Sequence, residues 1–465
     1  MTMKLFAWQQ LVISSLILAA LALAETRPQY GGTLRVSMRD APTSLDPADR
    51  READSLARHN LTLLIFDTLT DIDDAGNVHA ALATSWQAAP GNQRWQFRLR
   101  RNVKFQDGML LTPATVASCL RTANPSWKVL PDADSIVIER DAPAPNLPAE
   151  LTLPRNAIAK RNRDGTITGT GPFHIADWQP GKKLTLAAEE NCWRGRPFLD
   201  IVEIEMGRNF RDQWVGLELG RTGLVEVTAE QAHRISAQGA RVTTSAPIEL
   251  IALLFVHDAH SPEEKLLRDA LAVCVDRASI RRVLLQGTGE PSASILPNWM
   301  SGYGFVFPTH PDLQRARRDG EQVRPVPVWT VGYDANDSIA RLLVERIALN
   351  ARDAGLVLQP STSRSTDLRL VRLSIVSTDP WIALANVAAV AGLPIGGGGS
   401  NSNSLQDLYR AEQALLATQR LIPLFHLPAT YASTKFLRDW SVGADGSWRL
   451  ADAWLTSEKT NGDKQ

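Results

Sequence analysis

The sequence predicts an α/β protein built from two or more packed lobes. Three observations carry this expectation. The chain has 465 residues, too many for one ordinary hydrophobic core. Its second half runs strand, amphipathic helix, strand, the order of an α/β layer with at least partly parallel pairing. Its first half carries short alternating segments separated by turn residues, as antiparallel strands with one wet face do.

Taken in order, Gly31-Gly32 leads into residues 33–38, where apolar and polar side chains alternate as in a half-buried strand. Pro42 and Asp46-Pro47 make a turn-rich loop, and residues 56–69 carry apolar side chains at helical spacing. A hairpin follows: residues 82–87, the turn Pro90-Gly91-Asn92, then 95–100 in clean alternation. Thr112-Pro113 supplies a cap and a first-turn proline for a helix over 116–120. Further strands are predicted at 135–139, 173–175, 183–186 and 201–206.

Residues 250–256 are almost wholly apolar, as in a strand buried on both faces. Residues 263–285 read as one helix with Leu266, Leu267, Ala270, Leu271, Val273 and Cys274 inward. A strand at 326–331 precedes an amphipathic helix over 338–354, which Gly355 stops with a left-handed cap. Strands resume at 356–358 and 370–376, and a helix is predicted over 405–416. The Gly/Ser/Asn run at 396–404 reads as a flexible surface loop, and no repeat of fixed period occurs.

At the N-terminus, Lys4 precedes an apolar run over 11–23 that ends in Ala22-Leu23-Ala24 before Glu25. This is the layout of a secretory signal peptide, expected over 1–24. An uncleaved anchor is the alternative, although the run is short for a membrane span. No Cys lies near the expected cut, so no lipid anchor is expected. The three cysteines, Cys119, Cys192 and Cys274, cannot all pair, and Cys119 and Cys274 fall on apolar helical patterns as buried free thiols.

Lys plus Arg and Asp plus Glu are 50 each, which gives no bulk charge for nucleic acid or anionic membranes. The local Arg315, Arg317 and Arg318 patch reads as solvated. No nucleophile elbow, zinc helix, phosphate loop or dinucleotide fingerprint appears, and the glycine run lacks a following Lys-Ser/Thr. His257 and His260, with Glu263 and Glu264 beyond, form a weak metal pattern without a helical frame, and helix capping is the plainer reading.

Several segments together resemble the extracytoplasmic solute-binding proteins of family 5, the peptide, opine and nickel type that serve ABC importers. The matches begin with Gly31-Gly32-Thr33-Leu34-Arg35-Val36 and Ser44-Leu45-Asp46-Pro47. They run on through Phe66-Asp67-Thr68-Leu69, Ala81-Leu82-Ala83-Thr84-Ser85-Trp86 and Phe97-Arg98-Leu99-Arg100 to Val103-Lys104-Phe105-Gln106-Asp107-Gly108. Gly169-Thr170-Gly171-Pro172-Phe173, Arg268-Asp269-Ala270-Leu271 with Asp276-Arg277, and the loop over 287–297 continue the resemblance.

The resemblance implies a two-lobed periplasmic-binding-protein clamshell with mixed sheets, of type II and of the large peptide-binding cluster. Lobe I is then expected over 25–248, including an extra subdomain at about 50–170, and lobe II over 249–425. Residues 426–465 return to lobe I and form the C-terminal tail, and the crossovers are expected at 245–256 and 421–428. It further implies a monomeric periplasmic substrate-binding component of an ABC importer, not an enzyme, without cofactor or metal. Such a protein binds a small, peptide-like solute reversibly and hands it to a cognate permease and ATPase complex. A nickel-chelate, opine or metallophore carrier is the alternative within binding, and a secreted hydrolase or a sensory module lies outside it.

Ligand contacts are expected from Ser44 and Leu45 in the first-lobe loop, from Trp299, Tyr303 and Trp381 as stacking groups, from Asp379, and from His426 on the second crossover. Peptide-binding members typically carry an acidic residue three positions before an Asp-Pro pair, and it meets the peptide ammonium. In this chain the pair is Asp379-Pro380 and that position is Val376. A buried ammonium without a counter-charge is costly, so the departure weighs against ordinary peptide recognition.

Overall fold

The computed structural model describes residues 27–51, 55–73, 76–237, 240–335, 337–394, 404–443 and 445–456. The predicted signal segment and most of the glycine-rich run lie outside the described residues. Among the described residues no helix is long and apolar enough to cross a membrane.

One large mixed sheet runs through the molecule, and two long strands join its halves. The first crossover, Arg241–Phe255, and the second, Leu421–Ser433, pair antiparallel from Arg241 opposite Ser433 to Leu254 opposite Leu421. On the first-lobe side, Thr33–Ser37 lies parallel to both Ile201–Glu205 and Leu224–Glu226, and Leu224–Glu226 pairs antiparallel with the second crossover. On the second-lobe side, Leu368–Ser374 pairs antiparallel with the first crossover, and Val328–Gly332 lies parallel to both Leu368–Ser374 and Val357–Ser361.

The apolar run over 250–256 serves two cores at once because strand side chains alternate faces. Ile251, Leu253 and Phe255 pack into one second-lobe cluster with Leu271, Val344 and Ile347. Ile248, Leu250 and Ala252 pack into another with Leu373, Ala383 and Leu415. Pro423 sits where the crossover register slips, its carbonyl accepting from Arg277 Nη2 at 2.9 Å.

The first lobe has its own core, in which Leu34, Val36, Leu186, Val202 and Ile204 meet the helix Leu56–Ile65. Tyr431, Trp440, Trp448 and Leu450 join that core, so the chain beyond the second crossover returns to it. A separate four-stranded antiparallel sheet, in the order Ala83–Ala88, Arg94–Leu99, Ser135–Glu139, Lys128–Asp132, packs Phe97, Val129, Ile136 and Ile138 on the helix Pro113–Ala123. Thr112 caps that helix by accepting from the Thr115 N–H.

Two helices differ from the sequence expectation: the one expected over 56–69 ends at Ile65, with Phe66 extended, and a second is broken. The single helix over 263–285 is two, Pro262–Cys274 and Arg277–Val283. Val275 is extended (φ −73°, ψ 117°), and the Asp276 side chain accepts from the Ser279 N–H at 3.0 Å, starting a new helix. Cys119 and Cys274 are buried free thiols, and burial pushes them up to about 11 and about 12.

Candidate functional site

The carboxyl ends of parallel strands from both lobes converge beside the crossovers, the usual place for ligands in open α/β sheets. Arg39 lies just past Thr33–Ser37, and Glu226 ends Leu224–Glu226. From the other lobe, Asp337 follows Val328–Gly332 and caps the helix Ser338–Asp353, accepting from the Ile339 and Ala340 N–H groups at 3.0 Å each. Arg372 projects from Leu368–Ser374, and Glu249 from the first crossover.

These side chains form one ionic network. Arg372 meets Glu249 at 2.8 Å and Asp337 at 3.0 Å. Arg39 reaches Glu226 at 3.6 Å, Glu249 at 3.7 Å and, across the lobes, Asp337 at 3.6 Å. The Arg39 guanidinium lies over the Phe210 ring, 4.8 Å from its centroid. Its Nε is buried without a hydrogen-bond partner, so charge rather than hydrogen bonding holds it. Gln213 anchors Glu226 by accepting its backbone N–H at 2.8 Å.

Burial works against an ionised Asp337, yet Arg372, the Ala340 N–H and Arg39 together hold its carboxyl below the usual range. Glu226 shows the opposite outcome. There burial outweighs the Arg39 charge and pushes the carboxyl up. Asp40 is raised for the same reason.

Two adjoining cavities open at this network, of about 900 and 960 Å³ with their mouths included. Arg39, Asp40, Glu249, Arg372 and Ser374 line both. Leu284, Leu285, Leu427 and Phe210 give the first an apolar wall, and Asp334 and Asp337 line the second. Convergent charges against an apolar wall between two lobes suit a small polar solute.

None of the seven residues expected from the sequence lines either cavity. Ser44 and Leu45 line a groove on the first lobe with Gln106 and Trp178. Trp299 borders the first crossover, its Nε1 donating to the Pro247 carbonyl at 3.0 Å. Tyr303 and His426 belong to one network behind the second crossover. Tyr303 donates to Glu412 at 2.7 Å, Glu412 accepts from the Ile295 and Leu296 N–H groups, and His426 Nε2 meets the Ile295 carbonyl at 2.9 Å. Asp379 caps the helix Pro380–Val390, accepting from the Trp381 and Ile382 N–H groups, and Trp381 packs on the second-lobe core.

Val376 is buried with Ile382 against Ala149 and Leu153 of the first-lobe side, so apolar packing closes the cleft there. Arg155 reaches Asn386 at 2.9 Å beside it. Of the histidine pattern, Glu264 is engaged elsewhere. Glu264 accepts from the His260 N–H at 2.9 Å and pairs with Arg268 at 2.6 Å. Among the described residues no group of three His, Cys, Asp or Glu side chains is placed to hold a metal ion. In the basic patch, Arg315 is paired with Asp269 and Asp319.

Burial pushes the His426 imidazole down to about 4, against the opposing hydrogen bond to Ile295. A histidine whose folded pKa lies below its unfolded value leaves stability untouched above about pH 6.5. As pH falls from there toward about 4, the unfolded chain binds the extra proton and stability is lost, about 2 kcal/mol by about pH 5. The raised acids Glu226 and Glu412 act in the opposite sense, so a variant comparison isolates the effect. In urea denaturation, the stability gap between wild type and His426→Gln is expected to narrow by about 2 kcal/mol between about pH 7.5 and about pH 5. A gap independent of pH would contradict a neutral, buried His426.

Residues 77–365, more than half of the chain, match the model of the bacterial extracellular solute-binding proteins, family 5 middle region. The nickel-binding protein NikA of Staphylococcus aureus is 24% identical over 297 residues, covering 59% of this chain and 60% of that protein. The peptide transport periplasmic protein SapA of Salmonella typhimurium is 23% identical over 349 residues, covering 62% and 63%. The chain thus spans about 60% of the length of these curated relatives. The solved dipeptide binding protein of Pseudoalteromonas sp. SM9913, in complex with Met-Leu, superposes with a TM-score of 0.80 at 16% identity, over 91% of this chain and all of that one. That likeness gives the two-lobed α/β fold. The chain belongs to the bacterial extracellular solute-binding proteins of family 5.

Proposed function

We propose that this protein is the extracytoplasmic capture component of an ABC importer. It encloses a small solute between its lobes without catalysis and hands it to a permease and ATPase complex. The observation that carries this reading is the interlobe ionic network. Arg39 of one lobe faces Asp337 of the other at 3.6 Å, and the two crossover strands allow the lobes to swing about that point. A ligand that touches both sides binds the closed arrangement better than the open one and so shifts the population toward it.

The packing of Val376 and Ile382 against Ala149 and Leu153 closes part of the space between the lobes, which favours a small solute over an extended peptide. Native mass spectrometry of protein purified from its own export compartment is expected to find a co-purified small molecule. Solution scattering is expected to show a smaller radius of gyration with that molecule than without it. A radius of gyration unchanged at saturation would rule out capture by lobe closure.

A further inference from the structure

The cleft described above is unevenly charged. Two arginines, Arg39 and Arg372, face five carboxylates in the cavity linings: Asp40, Glu226, Glu249, Asp334 and Asp337. With all ionised, the formal balance is three negative charges. Arg372 is satisfied by Glu249 and Asp337 at 2.8 and 3.0 Å. Two groups are not. The Asp40 carboxylate lines both cavities and makes no hydrogen bond among the described residues. Arg39 has a buried Nε without a hydrogen-bond partner, and its carboxylate neighbours stand at 3.6 to 3.7 Å, beyond hydrogen-bond reach.

Each imbalance specifies a feature of the solute. The surplus carboxylates call for a cation, because five acids facing two arginines give the cleft a negative potential that attracts positive charge. The unfilled guanidinium donors call for a hydrogen-bond acceptor, and a carboxylate fits their fork geometry best. The wall of Leu284, Leu285 and Leu427 calls for an aliphatic stem between the two.

We propose that the cleft binds a basic amino acid or close analogue, with its carboxylate on Arg39, its cationic groups against Asp40 and the neighbouring acids, and its aliphatic stem on the leucine wall. This rests on the reading of the cleft as the solute site. The net negative charge of the cleft makes an anionic solute the wrong partner, and the missing acidic residue at Val376 becomes intelligible, since Asp40 and its neighbours supply the counter-charge at another place.

The test is isothermal titration and thermal shift on the full mature chain, freed of bound solute by unfolding and refolding, with L-lysine, L-arginine, L-ornithine, cadaverine, L-norleucine and L-glutamate as probes. At least one basic amino acid is expected to bind tenfold or more tightly than cadaverine, which lacks the carboxylate, and than norleucine, which lacks the side-chain charge. Glutamate is expected not to bind. Asp40→Asn, which removes no hydrogen bond of the fold, is expected to weaken the basic amino acid at least tenfold. Arg39→Lys is expected to bring its affinity down to the level at which the unaltered protein binds cadaverine.

Equal binding of norleucine or glutamate overturns the assignment, and so does an Asp40→Asn variant with unaltered affinity. If no basic amino acid binds but a broader solute library yields a ligand that compacts the protein, the ligand class is wrong and the cleft reading stands. If no solute in that library raises the melting temperature or compacts the protein, both fall.

Discussion

Gly169→Ala is expected to destabilise the fold by about 3 kcal/mol or more, well beyond the ordinary cost of losing a glycine. A Cβ at Gly169 would lie 2.1 Å from the Ile65 carbonyl oxygen and 2.6 Å from Phe66 Cδ1. At Gly171 it would lie 2.6 Å from the Ile65 carbonyl carbon and 2.9 Å from the Phe66 nitrogen. Apart from the Phe66 ring carbon these are backbone atoms at the end of a buried helix, and they cannot give way without moving the first-lobe core. The contact is also knitted by hydrogen bonds: Gly171 N–H donates to the Ile65 carbonyl at 3.0 Å, Gln106 Nε2 to the same carbonyl at 2.9 Å and to that of Phe173 at 2.7 Å, and Gln106 Oε1 accepts from Gly169 N–H at 2.9 Å. Gly91 is the control. Its φ of +86° favours glycine but nothing lies within 4 Å of a Cβ there, so Gly91→Ala is expected to cost about 1 kcal/mol. Urea denaturation of the two single variants checks this, and a Gly169→Ala variant as stable as Gly91→Ala would refute the close approach.

The same junction explains why the fold was legible in the sequence. Three segments that resemble the family, around Phe66, Gln106 and Gly169, meet at this one contact, so the motifs mark a structural joint. Local signals served equally well where one cause dominates. The amphipathic helix Ser338–Asp353 is followed by Gly355 at φ +79°, where a left-handed residue is needed, and the hairpin turns on Gly91 and Asn92, both at positive φ. Val275 reads as helical in the sequence because its neighbours are apolar at helical spacing, yet it is extended. The deciding event is an Asp276 cap that periodicity does not register.

The cleft was less legible. Its charges come together only in the fold: Arg39 and Glu226 are 187 residues apart, and Glu249 and Arg372 are 123 apart. Each looks locally like an ordinary polar residue at a strand end. Ser44 and Leu45 follow from the resemblance alone; the other five expected residues stand out by aromatic or ionisable character, and several of those characters are spent on structure, as with Asp379 at its cap and Tyr303 on Glu412. One signal was available. Arg39-Asp40 follows immediately on a strand predicted to enter an α/β sheet, and the carboxyl ends of such strands are where ligands gather.

Asp337 concentrates the most consequences in one side chain, and Asp337→Ala is expected to cost about 3 kcal/mol in urea denaturation at neutral pH. It is buried, it supplies the cap of a sixteen-residue helix, and it accepts from Arg372 Nε at 3.1 Å while facing Arg39 across the lobes. The cap accounts for about 1 kcal/mol of the loss. The remainder is the penalty of leaving Arg372 and Arg39 short of a counter-charge in an enclosed site. Asp337→Asn separates the two contributions, since the amide oxygen still caps the helix while the charge is gone. It is expected to recover about 1 kcal/mol relative to Ala. The sign with pH follows from the depressed carboxyl pKa. The charge contributes stability that is fully present above the ordinary carboxylate range and is lost as pH falls through the lower folded value, so wild type and Asp337→Asn should converge below about pH 4. Because Arg39 reaches across the lobes to Asp337 and the crossover residue Glu249, both variants should also give a larger ligand-free radius of gyration in solution scattering. Unchanged stability and unchanged dimensions in Asp337→Ala would show that the network neither supports the fold nor holds the lobes together.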